Sequence, residues 1–206
     1  MTPTTTTDAA TDLYPSRTSS RPALIDRKDP VVWGGAADGP LDAARLADYE
    51  RKGFLQLDGF FGEDELGPYR AELDRLRSGG ADTGRPEVIT EPGGEVVRSV
   101  FAVHEDNEIL SRLCRDPRLV SIARQLLGGD VYIHQSRVNY KSGFTGKEFY
   151  WHSDFETWHV EDGMPRMRAV SCSVSLTENT PHNGPLLLIP GSHAKFLSCV
   201  GETPEN

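Results

Sequence analysis

The chain has 206 residues, 37% of them hydrophobic, and a formal net charge of −9. That length suits one domain, or one domain with a tail, while the acidic balance argues against nucleic acid or an anionic membrane surface as partner. No apolar run approaches the ~20 residues that span a bilayer, no leader segment is visible, and the unclustered Cys114, Cys172 and Cys199 read as reduced thiols of a cytoplasmic protein.

Residues 1–20 are rich in Thr, Ser and Asp and are expected to form a disordered tail, with the functional domain over 21–206. The stretch R-K-D-P-V-V-W-G is expected to be extended, since a residue before proline avoids the helical region. Leu41 to Lys52 carries apolar residues at helical spacing and stops at Gly53, which predicts an amphipathic helix. Phe54 to Asp58 alternates apolar and polar and predicts a half-buried strand. A second helix is predicted from Glu63 to Arg77, closed by Gly79 and Gly80.

Residues 81–95 read as a loop with a short strand near Val88 and Ile89, and Val96 to Val103 as a β-branched strand. Helices follow over Glu105–Cys114 and Arg118–Leu127, split by Asp116-Pro117. Beyond Gly129 the pattern changes to strands over Val131–Tyr140, Phe149–Trp158, Met167–Leu176 and Leu186–Ile189. Helices first and strands later predict an α+β fold, with helices buttressing an antiparallel barrel or jelly roll. A jelly roll needs about eight strands, so the fold is expected to be incomplete at the C-terminus.

The chemistry concentrates in F-Y-W-H-S-D-F-E-T-W-H-V-E-D-G-M-P, residues 149–165. If this run is a strand, His152 and Asp154 share one face. They supply two-thirds of the 2-His-1-carboxylate triad that holds Fe(II) in non-haem oxygenases. His104, His134, His159, His182 and His193 are the candidates for a third ligand. Each reads better as a structural histidine, by its place in a turn, on the opposite strand face or before a helix. Trp151 and Phe155 read as core residues on the strand's other face.

Two long motifs carry a resemblance. They are Q-S-R-V-N-Y-K-S-G-F-T-G-K-E-F-Y-W-H-S-D-F-E-T-W-H-V-E-D-G-M-P-R-M-R and N-T-P-H-N-G-P-L-L-L-I-P-G-S-H. With F-L-S-C-V-G-E-T-P-E-N downstream and D-L-Y-P-S-R upstream, the chain resembles the ectoine hydroxylases. These are a branch of the phytanoyl-CoA dioxygenase-like Fe(II)/2-oxoglutarate oxygenases. The resemblance implies a double-stranded β-helix that hydroxylates ectoine to 5-hydroxyectoine, consuming O₂ and 2-oxoglutarate and releasing succinate and CO₂. It implies His152 and Asp154 as iron ligands, Asn139 and Phe149 in the 2-oxoglutarate pocket, and Gln135, Thr157 and Trp158 against ectoine. A homodimer is the candidate assembly of a full-length form, in the service of osmotic protection.

In that family the distal iron histidine and the arginine that pairs with 2-oxoglutarate follow the stretch present here. Arg166 and Arg168 could supply a carboxylate clamp by chemistry, though the resemblance gives them no such role. Two alternatives therefore stand beside ectoine hydroxylation. One is a related oxygenase acting on another small zwitterion. The other is a non-catalytic fragment or pseudo-enzyme, lacking the distal His and Arg.

Overall fold

The computed structural model describes residues 11–94, 96–143 and 149–202. The predicted early helices form. Helix α1, Ala43–Lys52, starts at Asp42, whose side chain accepts from Arg45 N, and stops at Gly53 with φ +86°. That left-handed value is one glycine adopts without steric cost. Helix α2, Glu63–Arg75, runs on into a single π turn over Leu76–Gly80.

The predicted helix over Glu105–Cys114 is two helices, α3 (Val103–Asp106) and α4 (Glu108–Cys114). The break falls at Asn107, whose extended backbone and side-chain bond to Leu110 N make it the cap of α4. Helix α5, Pro117–Leu127, is capped by Asp116, with proline in its first turn and Gly128 at its end.

The strands are fewer and shorter than predicted. Strands β2 (Val88–Thr90), β3 (Val97–Phe101) and β4 (Arg137–Asn139) make one antiparallel sheet in the order β2-β3-β4. A second sheet pairs β1 (Ala23–Asp26) with β5 (Lys195–Ser198), antiparallel, Leu24 opposite Leu197. The pairing of β1 with β5 is not foreseeable locally, because its two strands lie at opposite ends of the sequence.

Three predicted strands outside the 149–165 motif do not form ladders. Phe54–Asp58, Met167–Leu176 and Leu186–Ile189 run as non-helical backbone without a paired strand among the described residues. Period-2 patterning selects a strand's faces but cannot supply its neighbour. The predicted strand Val131–Tyr140 is reduced to the three residues of β4.

The described part of the predicted disordered tail is packed; residues 1–10 lie outside the described residues. Tyr14 is fully buried with Phe155, Met167 and Phe196 in one core cluster. Ser16 and Arg17 bind Glu156 at 2.7 and 2.9 Å. Other core clusters gather Leu76, Val97, Val100, Val103 and Leu110, and Leu41, Leu46 and Leu126. The N-terminal segment thus clamps the element that carries the candidate site.

Candidate active site

The largest departure from the sequence reading lies at the site itself. Phe149–Trp158 is not a strand. Asp154–Glu161 is a helix, α6, entered through extended Ser153. The local reasons are legible afterwards. Asp154 and Glu156 fall in the first turn, where carboxylates oppose the exposed amide ends. Phe155 and His159, four apart, stack at 5.4 Å on the buried face. Glu156, 4% exposed, is tied to Ser16 and Arg17, and such tertiary bonds override the β-propensity of the aromatic run.

The pair survives this change of element. His152 Nε2 stands 3.4 Å from Asp154 Oδ1. The imidazole Nδ1 donates to the carbonyl oxygen of Tyr150 at 2.6 Å, which fixes the ring with Nε2 facing Asp154, to which it donates when the ring is protonated. On the far side, Ser171 Oγ donates to Asp154 Oδ2 at 3.1 Å. The bond to Asp154 raises the His152 pKa, and that to His152 lowers the Asp154 pKa, each against the effect of burial. A histidine and a carboxylate side by side, each fixed by an outer bond, form a two-donor edge suited to a divalent first-row metal.

No described residue adds a third donor: no group of three His, Cys, Asp or Glu gathers among the described residues. His159 turns into the core, bonded to Met164 O and paired with Asp12. His104 binds Ser136, and His193 Nε2 donates to Glu50 O. His134 pairs with Asp162 at 2.9 Å and meets the Trp158 ring edge-on at 5.2 Å. His182 is exposed in its turn.

Trp158 and Asp154 line one cavity of about 170 Å³, which Arg27, Met167 and Ser171 share. Gln135 is exposed and does not line this cavity; its sequence neighbour His134 touches the same indole. Thr157 is half-buried on α6. Trp151, expected in the core, is 64% exposed, while Phe155 is buried as expected. With α6 helical, the two no longer share a strand face. Arg166 is occupied by Asp29, and Arg168 by Leu127 O and the Trp33 ring, so neither forms a clamp at the cavity.

A second feature surrounds Phe149. Arg98, Lys141 and Arg137 place their cations 4.3, 4.7 and 5.9 Å from its ring centroid. Asn139 sits on β4 between two of them and accepts a bond from Ser99 Oγ at 2.8 Å. Arg137, Asn139 and Lys141 recur every second residue, as one strand face requires. That spacing was readable in R-V-N-Y-K, but Arg98, contributed by β3, was not. The result is a corner where three cationic side chains meet one ring, chemistry suited to an anionic small molecule.

Against known proteins, residues 49–205 match the phytanoyl-CoA dioxygenase (PhyH) family. The chain is 58% identical over 198 residues to the ectoine dioxygenase of Bordetella parapertussis, covering 96% of this chain and 64% of that protein. It is 55% identical over 196 residues to that of Stutzerimonas stutzeri, covering 95% and 65%. It thus spans a little under two-thirds of the length of these relatives.

The crystal structure of EctD from S. alaskensis with 2-oxoglutarate and 5-hydroxyectoine superposes with a TM-score of 0.88 at 49% identity, covering 93% of this chain and 69% of that one. The form with bound Fe gives 0.86 at 50% identity, covering 91% and 67%. The fold is therefore that of the jelly-roll oxygenases, although no closed barrel is present among the described residues. The chain belongs to the phytanoyl-CoA dioxygenase family.

Proposed function

We propose that this chain carries the iron-binding and substrate-facing side of an ectoine hydroxylase. The reaction is ectoine plus 2-oxoglutarate plus O₂ going to 5-hydroxyectoine, succinate and CO₂. The observation that carries the reading is the juxtaposition of His152 Nε2 and Asp154 Oδ1 at 3.4 Å beside a cavity walled by Trp158. Relatives named ectoine dioxygenase, and a solved relative holding 2-oxoglutarate and 5-hydroxyectoine, support it.

His152 and Asp154 would hold ferrous iron. Bound there, the iron supplies the activation of O₂ that drives C–H hydroxylation. The chain's own residues do the remainder. Tyr150 O and Ser171 Oγ hold the two donors in register. The cations around Phe149, with the Asn139 amide, offer a site for the 2-oxoglutarate dianion. Trp158 presents an indole to the delocalised cation of a cyclic amidine, a contact worth ~0.5–2 kcal/mol. Thr157 and Gln135 would supply polar contacts to ectoine. The site is proposed to work in the cytoplasm in osmotic protection.

The test is a competition. The protein, with Fe(II) in excess and 2-oxoglutarate, is offered ectoine, proline and pipecolate together. Hydroxylation confined to ectoine is expected. Preferential hydroxylation of a cyclic amino acid would favour the related-oxygenase reading instead.

A further inference from the structure

Arg27 follows β1 directly, and its main-chain N–H donates to Ala194 O at 3.0 Å, which continues the pairing of β1 with β5. Its guanidinium is half-buried on the wall of the cavity that also contains Asp154 and Trp158. Nε donates to Asp29 O at 3.0 Å, and Nη2 to Pro30 O at 2.8 Å and Met167 O at 2.6 Å. All three acceptors are neutral main-chain carbonyls. Among the described residues no carboxylate pairs with this guanidinium, and Nη1 donates to nothing.

A half-buried cation whose hydrogen bonds all go to neutral carbonyls is uncommon, because desolvation is best offset by a bonded partner. The Asp29 carboxylate acts on Arg27 only through space and accepts its own bonds from Arg166, Met167 N and Tyr14. The other arginines near the site are placed differently. Arg166 is bound by Asp29, and Arg168 by carbonyls and the Trp33 ring. Arg137, which acts on the His152–Asp154 pair through space, lies over the Phe101 and Phe149 rings. Arg27 therefore stands out as held in place yet with donors to spare. Three carbonyl bonds fix the plane of its fork, and such preorganisation lowers the cost of binding a planar anion.

We propose that Arg27 binds the carboxylate of the zwitterionic substrate, while Trp158 meets its cationic ring from the same cavity. The inference rests on the reading of the site given above. It assigns the carboxylate to the substrate, not to 2-oxoglutarate, because Arg27 shares its cavity with Trp158 and not with the cations around Phe149. At about 170 Å³ the cavity is small for a ligand site, which fits one compact solute. A segment remote in sequence thereby completes the recognition of a molecule whose other contacts come from α6.

The experiment measures dissociation constants by calorimetry on the Fe(II)-loaded protein. The probes are ectoine, the same cyclic amidine lacking the carboxylate, and 2-oxoglutarate. Arg27→Met is expected to weaken ectoine by about tenfold or more, the scale of one lost charge-assisted bond. The decarboxylated amidine and 2-oxoglutarate should bind as before. Arg27→Lys, which keeps the charge and most of the stem, should recover part of the loss.

Equal weakening of ectoine and its decarboxylated analogue in both variants would make Arg27 a structural clip and overturn the proposal. Weakened 2-oxoglutarate with unchanged ectoine would overturn the assignment to the substrate. Wild-type protein that binds iron but not ectoine would overturn the ectoine reading, and this inference with it.

Discussion

His152 Nε2 stands 3.4 Å from Asp154 Oδ1 because the chain turns into helix α6 between them. A strand would have put the two side chains in parallel. Here Ser153 is extended, Asp154 opens the helix, and the imidazole is swung back by its bond to Tyr150 O. His152→Ala and Asp154→Ala should each abolish retention of ferrous iron, measured by metal analysis after anaerobic loading and desalting. Both side chains are partly exposed, so circular dichroism should show the fold intact. Iron that stays near one per chain in either variant would refute the assignment.

Ser171→Ala tests the support of that pair without removing a donor. Loss of an outer bond to a ligand typically weakens metal affinity ~10–100-fold. Iron titration should show a shift of that order, smaller than the loss in Asp154→Ala.

Trp158→Ala should raise the KM for ectoine and leave that for 2-oxoglutarate nearly unchanged, as expected for a lost stacking surface worth ~0.5–2 kcal/mol. A parallel rise in both constants would make Trp158 a packing residue of α6.

Asp29 sets a pH dependence of stability. Burial alone would raise its pKa, but bonds from Arg166 Nε at 2.5 Å, Met167 N at 2.8 Å and Tyr14 Oη at 3.0 Å hold it below the ordinary value. A depressed folded pKa contributes stability that is fully present above the unfolded value, about 3.9, and is lost as pH falls through the folded one. Asp29→Asn should cost about 1–3 kcal/mol at neutral pH, the scale of a broken buried bond set. The gap between wild type and variant in thermal unfolding should close in acid. A gap that widened below the unfolded pKa would contradict the sign.

Gly53→Ala should destabilise the protein. Gly53 has φ +86°, and a Cβ there would run into the His193 ring, which caps the end of α1 through Glu50 O. Left-handed strain and a displaced ring together suggest about 1–3 kcal/mol, read as a lower melting temperature.

Much of the fold was legible where the signal is local. Asp42 with Gly53, and Asp116-Pro117 with Gly128, bracket α1 and α5 because caps act within a turn of the helix end. The strands were over-read because alternation at Phe54–Asp58 and Met167–Leu176 says which side faces inward, not whether a partner lies alongside. At the site the pairing of two residues was legible and the backbone that pairs them was not. His152 and Asp154 were brought together as expected, by a helix start in place of a strand face. Arg27 and Arg98 went unnoticed because each is delivered by an element remote from the motif, and no local spacing marks them.

The central claim is tested most directly by turnover. The protein is supplied anaerobically with excess Fe(II), 2-oxoglutarate and ectoine, then exposed to O₂. Succinate and 5-hydroxyectoine are quantified by NMR, with Asp154→Ala as control. The account predicts 5-hydroxyectoine in a one-to-one ratio with succinate, and neither product from the variant. Iron-loaded wild-type protein that forms no 5-hydroxyectoine, or releases succinate equally with and without ectoine, would contradict it.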